Sequence, residues 1–245
     1  MNPPGKFHIG TSGFSYKHWR GIFYPDDIPQ KKWLEYYADN FGTVEINSSF
    51  YHIPRLSTCE GWERRSPEGF LFAIKANRYI THVRKLRYAN EIINLFFTTI
   101  GYLDGKLGPV LLQLPPAMEK DIPLLKDFIA RLPEGLRYVF EFRNSSWYGY
   151  ELFRTLDDLG CAFCMHDLPG KATPREITGD FTYVRFHGSE AAYSSCYPDN
   201  ELAEWADRLQ TISAAGKDVF AYFNNDLHGH AVTNARTLTR LLAGT

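Results

Sequence analysis

Apolar and polar positions alternate along short stretches of this chain. In "YVFEFRN", residues 138–144, a strand places Phe140 and Phe142 on one face and Glu141 and Arg143 on the other, because successive side chains point to opposite sides. "YVRFHG", residues 183–188, repeats the form, with Val184 and Phe186 opposed to Arg185 and His187. Further β-prone apolar runs fall at 7–12, 43–48, 70–77, 108–114, 161–167 and 218–225, which makes eight predicted strands. Most gaps carry helical patterns: "KKWLEYYADN", "NEIINLFFTTIGYL", "PLLKDFIARL", "YELFRTLDDLG", "ELAEWADRLQTISAAG" and "NARTLTRLLAG". Several end in Gly or Asn, as helix C-termini commonly do. Strands alternating with helices imply parallel pairing through right-handed crossovers, and eight such units predict an α/β fold, a (β/α)8 TIM barrel formed as a single domain over residues 1–245. An open doubly wound sheet is the alternative that periodicity leaves standing.

In a barrel the apolar phase of each strand faces the helices and the other phase fills the interior. Phe7 and Ile9 then point outward and leave His8, Gly10 and Ser12 inside; Val44 and Ile46 leave Glu45 and Asn47; Phe70, Phe72 and Ile74 leave Lys75 and Asn77. The fourth strand is apolar on both phases except for Gln113 near its end, and the eighth sets Tyr222 and Asn224 inside. The sixth is ambiguous, since His166 and Asp167 occupy opposite phases. The expectation is a barrel mouth holding Glu45, Asn47, Lys75, Gln113, Glu141, Arg143, Arg185, His187 and Asn224. Barrel interiors are normally filled by branched apolar residues, and a charge taken out of water costs several kcal/mol. Such a set is therefore either a site or a ring of internal ion pairs. Two long aromatic segments, "GFSYKHWRGIFYPDD" and "SFYHIPRLSTCEGWERRSPEG", read as loops on the same face, where barrel enzymes build their sites.

Composition narrows the partners. At 245 residues the chain can bury a sizeable core, and its 18 Phe, 15 Tyr and 5 Trp suggest a large core with an aromatic-lined cleft. Against 28 Asp and Glu stand 27 Lys and Arg, so the net charge of -1 supplies no global attraction to nucleic acid or anionic membrane. The first residues contain no apolar stretch of signal-peptide length and no run approaches a membrane span, so a cytoplasmic location is expected. Four scattered cysteines do not make a disulfide framework. Cys161 and Cys164 form a CxxC on a predicted strand, where positions three apart face opposite ways and cannot share a metal.

The ordered segments "GTSGFSYKHWRGIFYP", "TVEINSSFY", "FAIKANRYITHVRKL", "PVLLQLPP", "EFRNSSWY", "YVRFHG" and "YFNND" resemble the signature segments of the YecE-like family, domain-of-unknown-function family 72. The resemblance runs from about Gly10 to the last helix. It implies a TIM barrel, leaves the activity open, and carries a described relationship to sugar isomerases. Two positions depart from the family pattern, Phe14 where Trp is expected and Asn144 where His is common, so Asn144 is given no catalytic role.

The residues themselves point to an anion. Arg143, Arg185 and Lys75 are suited to a phosphate or carboxylate, with Asn47, Gln113 and Asn224 orienting it. The loop after the third strand adds Arg78, His82, Arg84, Lys85 and Arg87. Glu141, His187 and Glu45 are the candidate proton-transfer groups. The expected function is proton-transfer chemistry on a small anionic, sugar-like compound with no cofactor, its class among isomerase, lyase and hydrolase being open. A metal-dependent, sugar-isomerase-like enzyme is one alternative, with Glu141, Asp167, His187 and Asp226 offering ligands to Mg or Mn. A non-catalytic ligand-binding or nucleic-acid-binding protein is the other, disfavoured for nucleic acid by the near-neutral charge. A Ser-based triad is excluded, because no serine stands in a G-x-S-x-G elbow, and the "HGH" at 228–230 reads as a loop or helix start. Oligomeric state is not encoded in any of these features.

Overall fold

The computed structural model describes residues 3–87 and 90–244. Eight strands form at the alternating runs: β1 (Phe7–Thr11), β2 (Thr43–Ile46), β3 (Leu71–Lys75), β4 (Leu107–Gln113), β5 (Tyr138–Glu141), β6 (Ala162–Asp167), β7 (Phe181–Phe186) and β8 (Asp218–Phe223). Their order in the sheet is β1-β8-β7-β6-β5-β4-β3-β2, and a parallel bridge from Ser12 to Glu45 sets the end of β1 beside β2. A sheet that runs in sequence order and returns to its first strand is the (β/α)8 TIM-barrel fold.

The helices are α1 (Trp33–Ala38), α2 (Ser48–Tyr51), α3 (Leu56–Arg65), α4 (Asn90–Ile100), α5 (Ile122–Ile129), α6 (Tyr150–Asp158), α7 (Asp199–Ala214) and α8 (His230–Ala243). Six of them occupy the helix-patterned gaps. The segment after β2, expected as one long loop, instead folds into α2 and α3. Its helical signal is thin because only Leu56, Cys59 and Trp62 supply apolar positions at a spacing of three. Cys59 is nevertheless fully buried, and Trp62 stacks on Phe72 of β3 at 5.9 Å. "HGH" at 228–230 falls at the start of α8, as expected. No helix among the described residues is long and apolar enough to cross a membrane.

Contacts group the chain into two units. One comprises the chain through Glu45, Met165–Arg175 and the chain from Phe181 onward; the other comprises Ile46–Cys164 and Glu176–Asp180. In the first unit β1, β8 and β7 pair in parallel, with Gly10 opposite Tyr222 and Arg185 opposite Tyr222 from the other side. The apolar phase faces helices, since Phe186 meets Trp205 of α7 edge-on at 5.1 Å. The other phase is aromatic as well as charged: His8 stacks on Phe220 at 4.5 Å and Tyr183 lies 5.2 Å from Tyr222. Gly10 is required by contact, because a Cβ there would stand 2.3 Å from the Thr43 carbonyl oxygen. Much of the aromatic excess is spent after β1, where Trp19, Tyr24, Trp33 and Tyr37 are fully buried and Tyr24 stacks face to face on Trp33 at 4.4 Å.

In the second unit β3, β4, β5 and β6 pair in parallel, with Lys75 opposite Leu111 and Gln113 opposite Glu141. Phe140 meets Phe128 of α5, and Phe142 lies 4.8 Å from Trp147. Each buried Phe contributes about 1.5–3 kcal/mol through area removed from water. That fixes the register of β5 firmly, since a slip of one residue would turn both rings to the polar side.

Candidate functional site

Lys75, Gln113 and Glu141 are the last residues of β3, β4 and β5, so parallel pairing sets their side chains in a row. Lys75 Nζ donates to Gln113 Oε1 at 2.9 Å, and Gln113 Nε2 donates to Glu141 Oε2 at 2.9 Å. The guanidinium Nη2 of Arg143 stands against Glu141 Oε1. Only one orientation of the Gln113 amide serves both neighbours, since an ammonium needs an acceptor and a carboxylate needs a donor. Glu141 is fully buried, while the Arg143 side chain keeps 14% of its exposure and Gln113 is half-buried. The row therefore reaches solvent at its arginine end. It brings two cations to one carboxylate.

Lys75 also acts on a neighbour. Lys75 Nζ lies 4.2 Å from the centroid of Phe50, whose ring also meets His82 edge-on at 4.9 Å. Burial, then the charges of Lys75 and Arg78, push the His82 imidazole down to about 4, with Glu141 opposing. His82 is thus neutral at neutral pH, and its Nδ1 lies 2.9 Å from Thr81 Oγ1. Asn77 donates Nδ2 to the Ser49 carbonyl and ties the β3 end to α2.

Glu45 and Arg185 occupy the first unit and meet each other. Arg185 donates from Nε to Oε2 at 2.9 Å and from Nη2 to Oε1 at 2.9 Å, while Ser12 Oγ and Tyr183 Oη donate to the same carboxylate at 2.6 and 2.7 Å. Both residues are buried, Arg185 to 1%. Here the arrangement is the internal ion pair that the sequence left as an alternative to a ligand contact. Burial alone would raise the Glu45 carboxyl, but the Arg185 charge and the donors from Arg185, Ser12 and Tyr183 outweigh it and hold the group below its ordinary value of 4.5. A depressed folded value means stability that is complete above 4.5 and is lost as pH falls through the folded value. Melts between pH 7 and pH 3 are expected to show this loss, and Glu45→Gln is expected to show a shallower acid slope; equal slopes would contradict the ionised assignment.

The remaining expected site residues are placed separately. His187 is buried, its ring edge-to-face with His166 at 6.0 Å, and its backbone N–H donates to the Asp167 carbonyl. The ambiguous sixth strand is thereby resolved, with His166 sharing the phase of His187. Asn47 precedes α2 and Asn224 follows β8, where its backbone N–H donates to the Phe186 carbonyl at 2.7 Å. Among the described residues no group of three or more His, Cys, Asp or Glu side chains is arranged to hold a metal ion. Of the four residues considered as metal ligands, Asp226 instead meets His18, with Oδ2 at 3.3 Å from Nε2. Cys161 is buried, which pushes its thiol up to about 12 and away from thiolate chemistry. A cavity of about 300 Å3 lies at the N-terminal end of β1 among Phe7, Ile9, Phe41 and Leu242, and none of the expected site residues lines it.

Sequence reading missed Phe50, Tyr183 and His18. Tyr183 shares the phase of Arg185, so the period of two could have found it. Phe50 and His18 sit in segments without strand period and left no comparable signal.

A family model described as "Protein of unknown function DUF72" matches residues 8–245. UPF0759 protein YunF of Bacillus subtilis is 29% identical over an alignment covering 96% of this chain and 94% of its own. UPF0759 protein YecE of Escherichia coli strain K12 is 29% identical over 47% of this chain and 43% of its own. The crystal structure of a DUF72 family protein from Thermotoga maritima superimposes with a TM-score of 0.88 at 28% identity, covering 97% of this chain and 99% of that one. A DUF72 family protein from Enterococcus faecalis shares the fold, with a TM-score of 0.85 at 22% identity over 98% and 96% of the two chains.

Proposed function

The chain belongs to the DUF72 family, and from that starting point we propose that the C-terminal ends of β3, β4 and β5 bind a small phosphorylated or carboxylated, sugar-like compound. The observation that carries this reading is the Lys75–Gln113–Glu141–Arg143 row, which sets two cations about one carboxylate and whose Lys75 charge, after burial, helps to disfavour the His82 imidazolium. Lys75 supplies a compact charge and Arg143 a planar fork, the two complementary ways of holding an oxyanion. Gln113 positions Lys75 and Glu141 relative to one another. Glu45 and Arg185 then serve as internal support for the barrel strands and are not assigned to the ligand.

Glu141 is the proton-transfer group of this proposal. Its carboxylate takes a proton from the bound compound, the electron pair stays on the substrate, and Arg143 and Gln113 hold the carboxyl in place during the exchange. Thermal melts of the wild type with orthophosphate, sugar phosphates, small dicarboxylates and uncharged sugars test the binding step. An anion at 100 times its Kd is expected to add about 2.7 kcal/mol, roughly 5–11 °C, while uncharged sugars add nothing. Stabilisation by uncharged sugars alone would reject the reading. Glu141→Gln is expected to keep anion binding and to lose any conversion of a metabolite pool that mass spectrometry detects with the wild type.

A further inference from the structure

The segments that follow β1 and β8 meet at a pair of side chains outside the row described above. His18 Nε2 lies 3.0 Å from the backbone carbonyl oxygen of Asp226 and 3.3 Å from its Oδ2. Both partners only accept hydrogen bonds, so Nε2 must carry a proton whether the ring is neutral or charged. In the neutral ring, Nδ1 is then the nitrogen with a lone pair. A half-buried carboxylate behind one imidazole nitrogen, with the ring itself 40% exposed, is the arrangement that orients a histidine for proton removal.

Both sides of the pair are rigidly held. Trp19, fully buried, donates Nε1 to the same Asp226 carbonyl at 2.8 Å and fixes the turn Lys17–Trp19 that carries His18. Beyond Asp226 the backbone is left-handed at two successive residues, His228 with φ 55° and Gly229 with φ 73°. A non-glycine residue in that region costs about 1 kcal/mol or more, and such strain gathers at functional segments. Gly229 cannot be replaced freely, because a Cβ there would stand 2.6 Å from Cγ2 of Ile22. Burial raises the Asp226 carboxyl above its ordinary value, while its backbone hydrogen bond and His18 oppose the rise. The half-buried ring of Tyr16 lies 5.4 Å from His18 and walls one side.

We propose that His18 is the proton acceptor of a His18–Asp226 dyad that acts on the hydroxyl of a hydroxyl-bearing ligand or on water. In the step, Nδ1 takes the proton, the O–H bond breaks with its electron pair left on oxygen, and the ring becomes imidazolium. Its Nε2–H stays against ionised Asp226, which is a positioning residue and exchanges no proton. The dyad shares no residue with the anion-binding row and does not depend on it.

Nitrogen-15 NMR of the full chain labelled at histidine, with carbethoxylation by diethyl pyrocarbonate mapped by mass spectrometry, tests the assignment. The neutral His18 ring is expected to be the Nε2–H tautomer, and His18 is expected to react at least threefold faster than the exposed His52. Asp226→Asn is expected to slow His18 by fivefold or more without changing His52, and Asp226→Glu to restore part of the rate. A Nδ1–H tautomer in the wild type, or a His18 no more reactive than His52, would overturn the proposal. Both wild-type readouts decide the matter even where Asp226→Asn fails to fold.

Discussion

Arg185→Ala is expected to destabilise the folded chain by about 3–5 kcal/mol, a fall of roughly 6–20 °C in Tm for a chain of this size. Arg185 is 1% exposed and donates twice to a Glu45 carboxylate that is itself fully buried. Removing it leaves that charge to the hydroxyls of Ser12 and Tyr183 in a region water does not reach. The loss therefore measures an uncompensated buried charge, which exceeds what the pair contributes over apolar residues of similar size. The double variant Glu45→Gln/Arg185→Met is expected to recover more than half of the loss, because the neutral amide oxygen it places at position 45 still accepts from Ser12 or Tyr183. Urea melts of the wild type, Glu45→Gln, Arg185→Met and the double variant give the coupling directly. A single variant within about 1 kcal/mol of wild type would show that water or another cation reaches Glu45.

Lys75→Met and Arg143→Ala are each expected to remove the stabilisation that anions confer on the wild type, at least a tenfold loss of affinity or about 1.4 kcal/mol. The two variants differ in what they leave behind. Lys75→Met keeps an apolar stem against Phe50 while removing the charge and the bond to Gln113. Arg143→Ala takes the guanidinium from beside buried Glu141, so it also lowers stability in the absence of anion. Affinity lost in both with stability lost chiefly in the second is the expected signature. Arg154→Ala, on the exposed face of α6, is the control that should change neither.

The period of two makes most of this legible in the sequence alone. Phe140 and Phe142 declared one face of β5, so Glu141 and Arg143 had to share the other, and the same reasoning placed Lys75 and Glu45, while Gln113 stood out only as the polar residue at the end of a strand apolar on both phases. Pairing was not legible, because period gives a face and never a neighbour. Arg185 looked like a ligand anchor from sequence, yet its strand position brings it to Glu45, whose bridge to Ser12 lies across the β1–β2 junction. Helix α3 escaped because three apolar residues in ten leave little periodic signal, and its helix is held by what Cys59 and Trp62 bury. The His18–Asp226 contact joins residues over two hundred positions apart in segments with no repeating pattern, and only the adjacency of β1 and β8 brings them together.

His82 lies beside the proposed site, and burial first and then the charges of Lys75 and Arg78 depress its titration. Proton NMR titration of its ring in free protein is expected to give a midpoint of about 4. Saturating phosphate should raise that midpoint, because an anion beside Lys75 offsets the charge that disfavours the imidazolium. In Lys75→Met the midpoint should start higher and phosphate should no longer move it. A His82 midpoint that stays near 4 at phosphate concentrations that saturate the protein would place the anion elsewhere and contradict the assignment of this row as the binding site.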